Sequence, residues 1–134
     1  QQWPEYHEIT GGGWVSGQSF HPPYGKFTVN VSDSGHAGVK GIKDFATNDE
    51  LYMGLGMKDG NDVFITGTTE NGSYPWGPDR LPKDMPGGTF PLGWTRRYGG
   101  GKVFTLLLGH DGLSFETPEF QQIVLNGVEW ATAA

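Results

Sequence analysis

Hydrophobic and polar positions along the chain change period several times, and each change marks an element. In FTVNV the apolar Phe27, Val29 and Val31 alternate with Thr28 and Asn30, which predicts a half-buried strand turned by the DSG that follows. Leu51, Met53, Leu55 and Met57 alternate in the same way, KDGND reads as a turn and VFITGTT resumes the extended pattern, so a β-hairpin is expected. Leu92, Trp94, Arg96 and Tyr98 give another alternating strand, and after a glycine turn comes the unbroken apolar run Val103 to Leu108. A strand with almost no polar interruption is expected where both faces are covered, so this run is the predicted central strand.

Helical spacing occurs at both ends. Trp3, Tyr6 and Ile9 fall on one side of a short helix that Gly11, Gly12 and Gly13 end. Near the other end, Thr117 and Pro118 have the chemistry of an N-cap and a first helical residue. After them Phe120, Ile123, Val124, Gly127, Val128 and Ala131 recur on one face. Burying the four large apolar side chains of that face would contribute about 6–12 kcal/mol before entropy, and Gly127 predicts close approach of helix and sheet. Between these segments, Asn71 to Pro91 has no period of either kind and contains five prolines. A Pro/Gly-rich loop is therefore expected at 71–91, a length usual for functional segments.

A chain of 134 residues supports one core, so a single domain over 1–134 is expected. The formal net charge of −6 repels phosphate backbones and anionic lipid, which leads us to expect neither a nucleic-acid nor a membrane partner. No apolar run approaches the roughly 20 residues that cross a bilayer, and a soluble chain is expected. It begins at Gln1 rather than Met, which leans the expectation towards an extracytoplasmic protein. With no cysteine there is no disulfide framework, thiolate ligand or thiol nucleophile.

Several residues carry candidate chemistry. Asp49 and Glu50 could serve as acid and base, but neighbours on a strand point to opposite faces, so at most one faces a site; Asp49 is taken as a ligand contact. His21, held by Pro22 and Pro23, could join His110 and a carboxylate around zinc or another divalent metal, although no HxH or HExxH spacing supports it. Trp76, Asp79 and Arg80 resemble a carbohydrate-contacting set, an aromatic face beside hydrogen-bonding groups; the alternative is that Trp76 packs down as an anchor. His7 and His36 are expected to be solvated, and Arg96 and Arg97 to solvate an edge or pair with acidic residues.

The segments WPEYHEITGG, HPPYGKFTVNV, GIKDFATNDELY and WTRRYGGGKVFTLLLGHDGLSFETPEFQQIVLNGVEWA resemble, in order and spacing, the ThuA-like (trehalose utilisation) family. The resemblance implies an α/β fold, flavodoxin-like and class I glutamine-amidotransferase-like, of which the chain matches the C-terminal part. Family members begin with βα units that the chain lacks, so the sheet is expected to be truncated at its N-terminal side. His110, at the tip of the apolar run, resembles the catalytic histidine that such folds deliver where open α/β sheets bind ligands. Asp111 would orient its ring or accept amides in the turn, and His110 itself could instead be a structural turn residue. Without a cysteine, the cysteine-dependent amidotransferase mechanism is not carried over.

The family association is with oxidised (keto) sugars, so the partner expected is a small carbohydrate, processed by an enzyme or held by a non-catalytic accessory module. A truncated sheet further implies a homo-oligomer or a complementing chain.

Overall fold

The computed structural model describes residues 3–134. Its strands are β1 (Gly25–Val31), β2 (Phe45–Asp49), β3 (Asp62–Thr69), β4 (Gly72–Trp76), β5 (Leu81–Met85), β6 (Gly88–Tyr98) and β7 (Gly101–Leu106). Helices are α1 (Tyr6–Thr10), α2 (Gly112–Phe115) and α3 (Pro118–Thr132). A five-stranded sheet runs β2-β1-β3-β6-β7, and β4 and β5 form a separate ribbon.

The fold is a mixed α/β one with an antiparallel sheet and a C-terminal helix. The parallel sheet of a flavodoxin-like fold does not occur among the described residues, where every strand pairing is antiparallel. Parallel neighbours need crossovers of a dozen or more residues, usually helical, whereas β6 turns into β7 through Gly99 and Gly100 alone. A bulge in β3, at the register shifts around Ile65, bends the sheet where it pairs with β6.

Alternation along β6 and β7 assigns the two faces. Trp94 and Thr105 lie opposite each other, and Trp94 Nε1 and Thr105 Oγ1 both donate to Thr10 O at 2.8 Å, which ties the end of α1 to one face. Their neighbours Thr95 and Phe104 look the other way. Phe104 packs on Phe64, with centroids 5.1 Å apart, and a Cβ added at Gly127 would stand 2.8 Å from its ring, so α3 approaches this face as closely as expected. Gly11 closes α1 at φ +84, the left-handed cap that favours glycine.

Six expectations are corrected. β7 is an edge strand: α1 and α3 cover its two faces, which explains its apolar run, but β6 is its only neighbour among the described residues. Residues 51–57 form no hairpin with β3. Leu51 and Met53 are buried as their alternation requires, but Met53 bridges Phe20, Gly56 N donates to Gly13 O and Lys58 N to Gly11 O, so this segment lies along residues 11–20.

Residues 71–91 are no loop. Pro75 pairs with Pro82 in the β4–β5 ribbon, a register tolerable only where neither position must donate across the ladder. In α3, Phe120, Ile123, Asn126 and Gly127 are buried while Val124 and Val128 stay exposed, so helix burial contributes about half the expected amount, roughly 3–6 kcal/mol. Asn126 takes the place of an apolar contact by donating to Gly38 O at 3.1 Å and Lys40 O at 3.2 Å.

His36, finally, is buried at 9 % exposure and stacked on Phe64. Its Nδ1 accepts from Gly38 N, so Nε2 carries the proton and donates to Thr95 Oγ1 at 2.8 Å. Arg96 is likewise drawn inward, donating to Asn61 Oδ1 at 2.9 Å. No helix among the described residues is long and apolar enough to cross a membrane.

Candidate functional site

After β7 the chain passes through Leu107 and Leu108 to Gly109, whose φ of +108 turns it sharply into His110. The turn is pinned from below by Asp49, the last residue of β2, which is only 1 % exposed. Asp49 Oδ2 accepts from Gly109 N at 2.7 Å, and Oδ1 accepts from Glu50 N at 2.8 Å and His110 N at 3.3 Å. These amides compensate a carboxylate that burial would otherwise make costly. Asp49 thus fixes both Glu50 and His110 relative to the sheet. A hollow of 250 Å³ between Pro22, Lys26 and Tyr74 ends on Asp49, but with its oxygens engaged by amides Asp49 floors that hollow and offers nothing to a ligand.

The working carboxylate is its neighbour. Glu50 Oε2 lies 3.2 Å from His110 Nδ1 and accepts from the Tyr52 hydroxyl at 2.7 Å, while Oε1 stands 3.8 Å from His21 Nε2. Glu50 is 15 % exposed and His110 43 %, so a shielded carboxylate holds a histidine open to solvent. With Nδ1 directed at Glu50, Nε2 of His110 is the nitrogen left to exchange a proton. The Tyr52 phenol is pushed well above its usual range, first by burial and then by the hydrogen bond to Glu50, which keeps it a donor.

His21 is oriented separately: its Nδ1 donates to Pro22 O at 2.7 Å, leaving Nε2 towards Glu50. Aromatic rings surround it, with Trp76 4.9 Å, Tyr52 5.6 Å and Trp14 6.1 Å away between centroids, and Trp14 stacks on Trp76 at 6.4 Å. Trp76 reaches this cluster because the β4–β5 ribbon folds over it. Arg80, in the ribbon's turn, lines the same cleft.

The sequence candidates therefore divide. His21, Trp76 and Arg80 share one cleft, His110 is linked to His21 through Glu50, and Asp49 fixes Glu50 and His110 from beneath. Asp111 faces the other way: its Oδ1 accepts from Leu113 N, Ser114 N and the Tyr24 hydroxyl, making it the N-cap of α2. The Ser114 amide above all holds the Asp111 carboxyl below its ordinary range, although burial opposes it. Among the described residues no group of three or more His, Asp or Glu side chains is placed to hold a metal ion. His21 and His110, considered from sequence as zinc ligands with a carboxylate, instead face the two oxygens of Glu50, His110 Nδ1 at 3.2 Å from Oε2 and His21 Nε2 at 3.8 Å from Oε1.

Tyr52 and Trp14 escaped the sequence reading, which weighed Glu50 but settled on Asp49. The signal was present: with Leu51 and Met53 buried, the same alternation puts Glu50 and Tyr52 together on the other side of the segment.

Fold and site together define an α/β protein with a carboxylate-held histidine beside an aromatic cleft. Residues 1–131 match the model of the ThuA family, described as trehalose utilisation, and the chain belongs to that family. Two solved structures share the fold. A ThuA-like protein from Parabacteroides merdae has 22 % identity and a TM-score of 0.69, over 97 % of this chain and 55 % of that one. A ThuA-like protein from Bacteroides uniformis has 17 % identity and a TM-score of 0.69, over 96 % of this chain and 51 % of that one. The chain thus spans about half the length of these structures. Comparison with curated proteins finds no match.

Proposed function

We propose that the chain binds a sugar or keto-sugar in the cleft beside His21 and Trp76, with His110 as the group that moves a proton. The carrying observation is the Tyr52–Glu50–His110 arrangement, which fixes one imidazole nitrogen and leaves the other open to solvent, while the second oxygen of Glu50 faces His21 of the aromatic cluster. An imidazole so held takes a proton from a ligand hydroxyl, or from the carbon beside a keto group, while Glu50 stabilises the imidazolium that forms. Tyr52 holds the Glu50 carboxylate in place by donating to its Oε2. The aromatic groups supply apolar faces against which the C–H faces of a pyranose pack. The family's description, trehalose utilisation, agrees with this chemistry.

The test is to titrate trehalose and its keto derivative into the protein, following tryptophan fluorescence for binding and NMR for conversion. Trp76→Ala is expected to remove the fluorescence response. His110→Asn should leave the melting midpoint within a few degrees, about 1 kcal/mol or less, and abolish conversion. A clear loss of stability with conversion unchanged would return His110 to a structural role.

A second reading rests on a different observation, the edge of β7 that has no strand beside it among the described residues. We read the chain as the C-terminal part of a class I glutamine-amidotransferase-like domain, whose site is completed when a second copy or a complementing chain adds to that edge. The apolar residues exposed along α3 beside the edge support it.

A further inference from the structure

The cleft beside His21 has a volume of 380 Å³ and is walled by Pro23, Pro75, Trp76, Gly77 and Arg80, a size usual for small-molecule sites. One wall is apolar, formed by the indole and the prolines, and the other is cationic. Arg80 sits at φ +53, the left-handed region that non-glycine residues avoid, where its amide donates to Gly77 O at 3.2 Å. The turn therefore holds a side chain at this cleft at some cost in backbone strain. Lys83 Nζ lies 5.3 Å from the Trp76 ring centroid and 5.1 Å from that of Phe20.

The ion pairs among the described residues involve His21, His36, Lys58 and His110, and Arg80 and Lys83 take part in none, although Asp79 and Asp84 adjoin them in sequence. On a chain with a net charge of −6, two cations without an ion pair among the described residues stand beside one cleft. A sugar hydroxyl accepts single hydrogen bonds from such groups, whereas a carboxylate matches the planar fork of Arg80 with two parallel, charge-assisted ones.

We infer that the ring bound against Trp76 carries a carboxylate, as in a uronic acid, with Arg80 its partner and Lys83 adding attraction. This rests on the sugar-binding reading above and specifies its substrate class. Calorimetry at low salt would compare methyl glucuronide, methyl glucoside and methyl glucoside 6-sulfate. The glucuronide is expected to bind roughly tenfold more tightly than the glucoside, the size of a charge-assisted hydrogen bond. Arg80→Gln, with folding verified by its melting midpoint, should bring the ratio towards one, and Arg80→Lys should restore it in part.

Equal affinities for glucuronide and glucoside in the natural chain would overturn the carboxylate while leaving the sugar site standing. A sulfate ester bound as tightly as the glucuronide would replace the carboxylate by a general anion and overturn the assignment. An undiminished ratio in Arg80→Gln would remove Arg80 as the partner. Binding of none of the three would sink the sugar reading and this inference together.

Discussion

Asp49 and Glu50 are chemically alike and adjacent, yet they do different work because one ends a strand and the other begins an extended segment. Asp49 turns inward and is consumed by three backbone amides; Glu50 turns towards two histidines and a phenol. Sequence reading reached the right pair, and the right rule that only one could face a site, but had no means of choosing between them. The choice depends on amides 60 residues away, at Gly109 and His110. Tyr52 offers a test that depends on pH. Its pKa in the folded chain lies above the ordinary 10.0, so the stability it contributes is present below about pH 10 and is lost as pH rises further towards the folded value. Near neutrality Tyr52→Phe should cost about 1–2 kcal/mol, the hydrogen bond to a charged acceptor. Urea unfolding of both proteins between neutrality and pH 11 should show the gap narrowing above pH 10; parallel curves would show that Tyr52 does not donate to Glu50 in solution.

Elements were legible where their period survived folding. β1 follows from the alternation of Phe27, Val29 and Val31, and α3 from its helical repeat. The buried face of α3 was misjudged because a polar side chain with two carbonyl partners packs inward as well as an apolar one: Asn126 lies where Val124 and Val128 were expected. The ribbon was illegible because Pro75 and Pro82 count against strands individually, and only their pairing with each other makes them compatible with one. Gly127 sets two effects against each other. In a solvent-facing helix Gly→Ala stabilises by about 1 kcal/mol, but a Cβ here would stand 2.8 Å from the Phe104 ring, which is itself packed against Phe64. Overpacking of this kind typically costs 1–3 kcal/mol. Gly127→Ala is therefore expected to destabilise by up to about 2 kcal/mol in urea unfolding, and a gain in stability would show that α3 slides outward freely.

At the scale of the whole molecule the two edges of the sheet differ. β2 is five residues long, alternates buried and exposed positions, and has α2 packed beside it. β7 has no strand beyond it among the described residues, and apolar grooves flank it on both sides. One, of 430 Å³, is lined by Phe104, Leu106, Val124 and Val128; the other, of 390 Å³, by Tyr6, Trp14, Leu55 and Leu107. A strand added at this edge would alternate its side chains into both grooves, and the sheet would gain hydrogen bonds and apolar burial together. The apolar run read from sequence as a central strand was thus a correct reading of covered faces, while the identity of its neighbours was beyond what a run of residues can specify. If the edge is used, the purified chain should show a native mass above that of one copy at micromolar concentration. Val128, 59 % exposed beside the groove, is the residue to change. Val128→Lys should shift the mass towards the monomer while altering the unfolding free energy of the separated chain by no more than about 0.5 kcal/mol, as for a surface substitution. A compact monomer in the natural chain, with no binding of a dye that reports exposed apolar surface, would mean that the grooves stay open to water and that the site beside Glu50 is formed by one copy alone.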